Sequence, residues 1–367
     1  MTGLRIVIAG GGTGGHLYPG IAVAREVLRR EPGATITFAG TARGIESRVI
    51  PKEGFQLDLL RSAGLKGTSP AALARGLALL PLSGVDAWQI LSRRSPHLVM
   101  GVGGYSSGPV LAAAIARRIP TMLLEQNAQP GFTNRVLARR VDAAAVTFAA
   151  TIGYFGRRGF VAGNPVRPEF FTTTDVEPAA GPPRVLIFGG SQGAHAINVA
   201  MVEAAPRLAT IHGGVAITHQ TGERDLERVR SGYERAGVKA RVEPYLFAMD
   251  REIKGADLVV CRAGATTLAE LAAAGRPSVL VPLPTAADDH QRKNAEVFRD
   301  GGAAELIEQR TLSGAVLAER VTALVSDRSR LQAMAAAAKT FAKPDAAKVI
   351  VDRAFELAGV RPAAEAR

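Results

Sequence analysis

The feature that most constrains this chain is a strand, glycine loop and helix that occurs twice, 179 residues apart. The first copy is the β-branched run Leu4–Ala9 (LRIVIA), the loop Gly10–Gly15 and a helical stretch over Pro19–Arg30. The second is Arg184–Phe188 (RVLIF), the loop Gly189–Ala194 (GGSQGA) and the helical stretch after it. A short apolar run without alternation fits a strand buried on both faces, and a helix leading to the next strand makes that strand a parallel neighbour. Comparable runs follow in the first half at Thr35–Ala39, Leu98–Val102, Thr121–Glu125 and Ala144–Thr147, and in the second at Val215–Thr218, Ala240–Glu243, Leu258–Cys261, Ser278–Val281 and Ala304–Ile307. Such alternation predicts an α/β protein of two similar domains, each a parallel sheet with helices on both faces. Gly163–Arg184, dense in Pro, Gly and Thr, is the expected linker and hinge. Open α/β sheets bind ligands at the carboxyl ends of their strands, so two such domains facing each other would form a cleft.

At 367 residues the chain exceeds one ordinary core, and its 47% hydrophobic and 21% charged residues exclude disorder and coiled coil. A single cysteine, Cys261, allows neither an intramolecular disulfide nor a Cys-based zinc cluster and favours a reducing compartment. The opening MTGLRIVIAGGG runs straight into a strand pattern, with no basic and then apolar leader, which reads as cytoplasmic protein. The most membrane-like stretch, Gly76–Leu91, is interrupted by Pro81, Gly84 and Asp86 and is too short to span a bilayer.

Charge is unevenly placed. Residues 1–163 carry 19 Lys and Arg against 8 Asp and Glu, whereas residues 164–367 carry 26 against 25, so nearly all of the net +12 sits in the first half. That excess suits an anionic partner. Leu65–Leu91 mixes Leu73, Leu77, Leu79, Leu80, Leu82, Trp88 and Ile90 with flanking Lys66, Arg75, Arg93 and Arg94, the pattern of a helix lying at an anionic membrane surface. A nucleic-acid binder would interleave stacking aromatics with its basic residues, and aromatics are 5% of this chain, so nucleic acid is not an expected partner.

Gly10, Gly12 and Gly15 satisfy G-x-G-x-x-G between a strand and a helix, where backbone N–H groups can cradle a phosphate. The nicotinamide reading lacks its second element, because the next strand and loop, TITFAGTARG, carry no carboxylate before Glu46 to hold a ribose. No Walker A loop is present, and no Asp-x-Asp follows an apolar strand, so a metal-dependent diphosphate site is not expected. Gly101–Ser107 (GVGGYSS) adds a third glycine cluster at a strand end.

In chain order, GGGTGGHLYPG (Gly10–Gly20), GGYSSGP (Gly103–Pro109), EQNAQPG (Glu125–Gly131), GNPVR (Gly163–Arg167), GGSQGA (Gly189–Ala194), CRAGATTLAELAAAGRP (Cys261–Pro277) and DDHQRKNA (Asp288–Ala295) resemble the MurG family of bacterial glycosyltransferases over nearly the whole chain. The resemblance implies the GT-B architecture, two Rossmann-like, doubly wound parallel-sheet domains facing across a cleft. Residues 1–163 would bind the acceptor and the membrane, residues 164–340 would bind UDP-GlcNAc, and a C-terminal helix near residues 341–360 would pack back on the first domain. It implies inverting transfer of N-acetylglucosamine from UDP-GlcNAc to the 4-hydroxyl of MurNAc in lipid I, at the cytoplasmic face of the plasma membrane. No cofactor is implied, and other cell-wall synthesis proteins are expected partners. An epimerase acting on UDP-GlcNAc through the same fold is the nearest alternative.

By the same resemblance, Glu270 accepts hydrogen bonds from the ribose hydroxyls, and Ala265, Thr266, Thr267, Leu268 and Ala269 line the nucleotide. Leu246 reads the uracil edge through its backbone, Ser191 and Arg167 contact the diphosphate, and Gln291, with Asn294 nearby, holds sugar hydroxyls. Thr13, Gly14, Gly15 and Asn127 reach the donor from the first domain. The family's usual histidine before Glu-Gln-Asn is Leu124 here. The attacking hydroxyl must lose its proton, and His16 and Glu125 are the candidate bases. An imidazole of ordinary pKa, about 6.5, works as a base at neutral pH, whereas a carboxylate of about 4.3 needs burial to do so, which favours His16.

Overall fold

A computed structural model describes residues 3–62, 70–172, 181–190 and 192–360, with only the backbone of residues 70–75 and 77. The described chain falls into two compact units, residues up to 166 together with those from 343 on, and residues 167–342. In the first, the strands are β1 (Arg5–Gly10), β2 (Thr35–Gly40), β3 (Gln56–Leu59), β4 (Leu98–Gly103), β5 (Thr121–Glu125), β6 (Ala143–Val146) and β7 (Gly159–Val161). Between them lie helices α1 (Gly14–Arg30), α2 (Glu46–Lys52), α3 (Pro70–Arg94), α4 (Ser107–Ala116), α5 (Phe132–Leu137) and α6 (Ile152–Phe155). The second unit holds β8 (Arg184–Phe188), β9 (Ala216–Gln220), β10 (Ala240–Glu243), β11 (Leu258–Cys261), β12 (Ser278–Leu280) and β13 (Ala304–Leu306). Its helices are α7 (His195–Leu208), α8 (Leu226–Arg235), α9 (Met249–Gly255), α10 (Ala265–Ala274), α11 (His290–Asp300), α12 (Gly314–Val325) and α13 (Arg328–Thr340), and α14 (Ala346–Leu357) returns to the first unit.

Both sheets are parallel, in the orders β3-β2-β1-β4-β5-β6-β7 and β10-β9-β8-β11-β12-β13. Each order reverses beside its first strand, between β1 and β4 and between β8 and β11, and it is outside the carboxyl ends at such reversals that doubly wound sheets bind ligands. The central strands read as unbroken apolar runs because both faces are covered. Ile6, Ile8, Met100 and Met122 pack under α1 and α14, while Val7, Val99 and Leu123 pack under α3 and α4. Arg30 fastens α14 to α1, donating to Asp352 at 2.7 Å and lying 5.1 Å from the Phe355 ring centre.

Two elements differ from the sequence pattern. α1 begins at Gly14, so Gly14, Gly15 and His16 form its first turn, five residues before the apolar periodicity starts at Pro19. α3 runs unbroken through Pro81 and Gly84 for 25 residues, since one proline removes only one N–H from a long helix otherwise fastened to the sheet. Ala87, Ile90 and Leu91 bury one side of it, and Asp86 is anchored by Arg61 at 2.6 Å. Among the described residues, no helix is long and apolar enough to cross a membrane. In the described part of the expected linker Phe170 is buried and the Lys254 ammonium donates to the Glu169 carbonyl at 2.6 Å, while Arg167, Pro168 and Glu169 are exposed.

Candidate active site

In the first unit the loops after β1 and β4 lie against each other. Gly11 N–H donates to Gly103 O at 3.3 Å, and a Cβ on Gly104 would stand 2.4 Å from Gly11 O. Gly12, Gly103 and Gly104 have φ of +83°, +100° and +84°, a region that side chains rarely adopt. The His16 ring rests on Gly103, where any Cβ would fall 2.8 Å from its Cδ2, and its Nδ1 is 3.3 Å from Thr13 Oγ1. Thr13 is the N-cap of α1, so Gly14 and Gly15 present helix-start amides beside the imidazole.

Beneath this loop sits Glu46, 1% exposed, a residue that sequence reasoning left without a role. Its Oε2 accepts from Gly12 N–H at 2.8 Å, and its Oε1 accepts from Thr41 N–H at 2.9 Å and Thr41 Oγ1 at 2.8 Å. Burial pushes its pKa up, but these donors outweigh it and hold the carboxyl below its ordinary value. The contact spans 34 residues. Its one trace in the sequence is a lone carboxylate after the second strand.

Glu125 ends β5 and is 3% exposed. Its Oε1 accepts from Asn127 N–H at 3.0 Å and Asn127 Nδ2 at 3.2 Å, and its Oε2 from Gly131 N–H at 3.1 Å and Asn134 Nδ2 at 2.8 Å. Burial raises its pKa, opposed by these four N–H groups. The carboxylate therefore shapes the loop 126–134, and Asn127 is held beside it.

In the second unit, the loop after β8 closes through Gly193 N–H donating to Gly190 O at 2.9 Å. Gly193, with φ +71°, lies so close to the next loop that a Cβ would meet Thr221 O at 1.8 Å. Ser191, the candidate diphosphate contact, lies outside the described residues. At the far side of the reversal, α10 starts after Gly264, placing Ala265, Thr266 and Thr267 in its first turn and Leu268, Ala269 and Glu270 in its second. Desolvation raises the Glu270 pKa to about 7, with Arg167 opposing and Asp250 adding to the rise. Arg167 is exposed, its guanidinium 5.1 Å from the Phe170 ring centre. These positions put Arg167 and Glu270 in one neighbourhood.

Gln291, in the first turn of α11, accepts from Leu283 N–H at 3.0 Å, which fastens the loop after β12. Asn294 is buried one turn on, and its Nδ2 donates to Ala263 O at 3.2 Å, so it supports the loop before α10. Asp288 and Asp289 both have positive φ, 54° and 56°, a costly backbone just ahead of Gln291. Leu246 is buried, and its N–H donates at 2.8 Å to Oε1 of Gln220, a second residue that sequence reasoning passed over. Among the described residues no three His, Cys, Asp or Glu side chains cluster as metal ligands.

Residues 6–146 match the glycosyltransferase family 28 N-terminal domain and residues 184–350 its C-terminal domain. The UDP-N-acetylglucosamine–N-acetylmuramyl-(pentapeptide) pyrophosphoryl-undecaprenol N-acetylglucosamine transferase of Anaeromyxobacter sp. (strain K) is 48% identical over 96% of this chain and 93% of its own length. The crystal structure of Acinetobacter baumannii MurG superposes with a TM-score of 0.81 at 31% identity, covering 96% of this chain and 99% of that one. A UDP-GlcNAc 2-epimerase from Neisseria meningitidis, bound to UDP-GlcNAc, shares the fold at 12% identity and a TM-score of 0.66, covering 96% of this chain and 99% of that one.

Proposed function

The chain belongs to the MurG family, within glycosyltransferase family 28, and on that premise we propose that it transfers N-acetylglucosamine from UDP-GlcNAc to the MurNAc 4-hydroxyl of lipid I. The observation that carries this is the 48% identity to an enzyme of that name over 96% of the chain. With the epimerase structure, by contrast, only the fold is shared.

The chemistry needs a nucleotide held by the second unit. Helix-start amides at Ala265, Thr266 and Thr267 face the nucleotide, with Leu268 and Ala269 behind them, and Glu270 accepts the ribose hydroxyls. The Leu246 amide N–H is already taken by Gln220, so the group left to read the uracil N3–H is the Leu246 carbonyl. Ser191 and Arg167 meet the diphosphate, and Gln291 meets the sugar. Thr13, Gly14, Gly15 and Asn127 are further donor contacts on the strength of the family resemblance alone.

The acceptor oxygen attacks the anomeric carbon on the face opposite UDP, the bond from that carbon to the phosphate oxygen breaks, and the proton passes to His16. Charge growing on the departing UDP is met by helix-start amides and the Arg167 guanidinium. Glu125, with both oxygens occupied by its own loop, acts by shaping the acceptor side rather than as the base.

The same reading places the first unit against an anionic bilayer. α3 exposes Leu80, Leu82, Val85 and Trp88, and the Arg117 guanidinium lies 5.2 Å from the Trp88 ring centre. An apolar face rimmed by arginines fits the headgroup boundary. Leu65 and Lys66 of the expected membrane segment lie outside the described residues. Incubation with labelled UDP-GlcNAc, with and without a short-chain lipid I analogue, tests the function. Label appearing in the lipid supports it, and conversion to the 2-epimer with none in the lipid would move the activity to an epimerase.

A further inference from the structure

Sheet order puts one side chain where two donor loops can be tied together. β9 lies between β8 and β10, and its last residue, Gln220, is in register with Phe188 on one side and Glu243 on the other. The chain leaves β8 into the glycine loop and leaves β10 toward Leu246, so Gln220 sits at the root of both. Its side chain is 1% exposed. Nε2 donates to Gly190 O at 2.9 Å, and Oε1 accepts from Leu246 N–H at 2.8 Å. The two partners fix the amide's orientation, since a carbonyl can only accept and an N–H can only donate.

We infer that Gln220 is a positioning residue that holds the diphosphate loop and the uracil-reading segment at a fixed separation. Gly190 O also accepts from Gly193 N–H, so the bond from Gln220 reaches the carbonyl that closes the loop's turn. The strand end is itself held, because Asn198 Nδ2 donates to Thr221 O at 2.9 Å. A nucleoside diphosphate binds uracil and phosphate together, and it gains from both only if the two contacts stand at the right spacing. Gln220 touches neither and sets that spacing. The inference rests on the assignment of Gly189–Ala194 to diphosphate and of Leu246 to uracil.

The test compares uridine with UDP by calorimetric titration of the wild type, Gln220→Glu and Gln220→Leu, each first shown by circular dichroism to melt as a folded protein. A glutamate still accepts from Leu246 N–H and, once ionised, cannot donate to Gly190 O; because burial raises its pKa, the titrations are run at pH 8 as well as pH 6. Gln220→Glu is expected to hold uridine affinity within about twofold and to weaken UDP at least about tenfold, whereas Gln220→Leu weakens both. In turnover, the donor KM of Gln220→Glu rises in step while kcat at saturating donor holds within about threefold. Wild-type UDP affinity in Gln220→Glu at pH 8, or equal proportional losses for uridine and UDP there, overturns the inference and leaves the donor site standing. A wild type that gains nothing from the diphosphate overturns the loop assignment, and the inference with it.

Discussion

The Glu46 carboxylate accepts a 2.8 Å hydrogen bond from the Gly12 amide and through it fixes the loop that carries Thr13 and His16. All of its hydrogen-bond partners are donors. Glu46→Gln would set an NH2 group against one of them and is expected to cost about 1–3 kcal/mol. Faster hydrogen exchange at residues 10–16, together with a lower kcat, is the expected outcome. Its lowered pKa adds stability that is present above the ordinary carboxylate value and is lost as pH falls through the folded value, so the loop should loosen in acid.

The Glu270 carboxyl is shifted the other way. With its pKa at about 7 and the carboxylate the stronger acceptor for the ribose hydroxyls, UDP affinity should fall between pH 8 and pH 6, by up to about tenfold. Without ligand the raised pKa contributes stability that is full below the ordinary value of 4.5 and is lost as pH rises through about 7, so the wild type should exceed Glu270→Gln in melting temperature by more at pH 5 than at pH 8, while buried His219, with its pKa lowered to about 3, acts on both proteins in the opposite sense. Glu270→Gln should flatten the binding dependence in titration and remove the Glu270 part of the melting dependence.

His16 and Glu125 separate by what each removal damages. His16→Ala should lower kcat by about 10²–10⁴ with UDP affinity unchanged. Glu125→Gln turns one acceptor against N–H donors, so it should raise hydrogen exchange across residues 126–134 along with its loss of kcat. A Glu125→Gln protein with that loop still protected and kcat abolished, beside an active His16→Ala, would reverse the assignment.

Gly193→Ala meets the Thr221 carbonyl at a φ of +71° and should remove UDP binding while leaving the first unit's melting unchanged. On the other unit, Trp88→Ala should weaken cosedimentation with anionic vesicles at low salt and leave transfer to a detergent-dispersed acceptor near the wild-type rate.

The repeated strand, glycine loop and helix made the two sheets legible, and β5, β8 and β11 match their apolar runs residue for residue. Edge strands β3 and β7 escaped notice because they are short and half-exposed and therefore lack an apolar run. At the site, residues inside glycine-rich motifs stood out, since their backbone demands leave a compositional mark. Glu46 and Gln220 did not. Their partners lie 34, 30 and 26 residues away, and only the sheet order brings them together.

The linkage of the product formed from UDP-GlcNAc and a lipid I analogue in the presence of EDTA is the decisive measurement on this enzyme. The expected product is a disaccharide with N-acetylglucosamine β-linked to the MurNAc 4-oxygen, formed at the same rate with or without the chelator. An α-linked product, a different acceptor oxygen, or a reaction abolished by EDTA and restored by a divalent cation would contradict the proposed transfer.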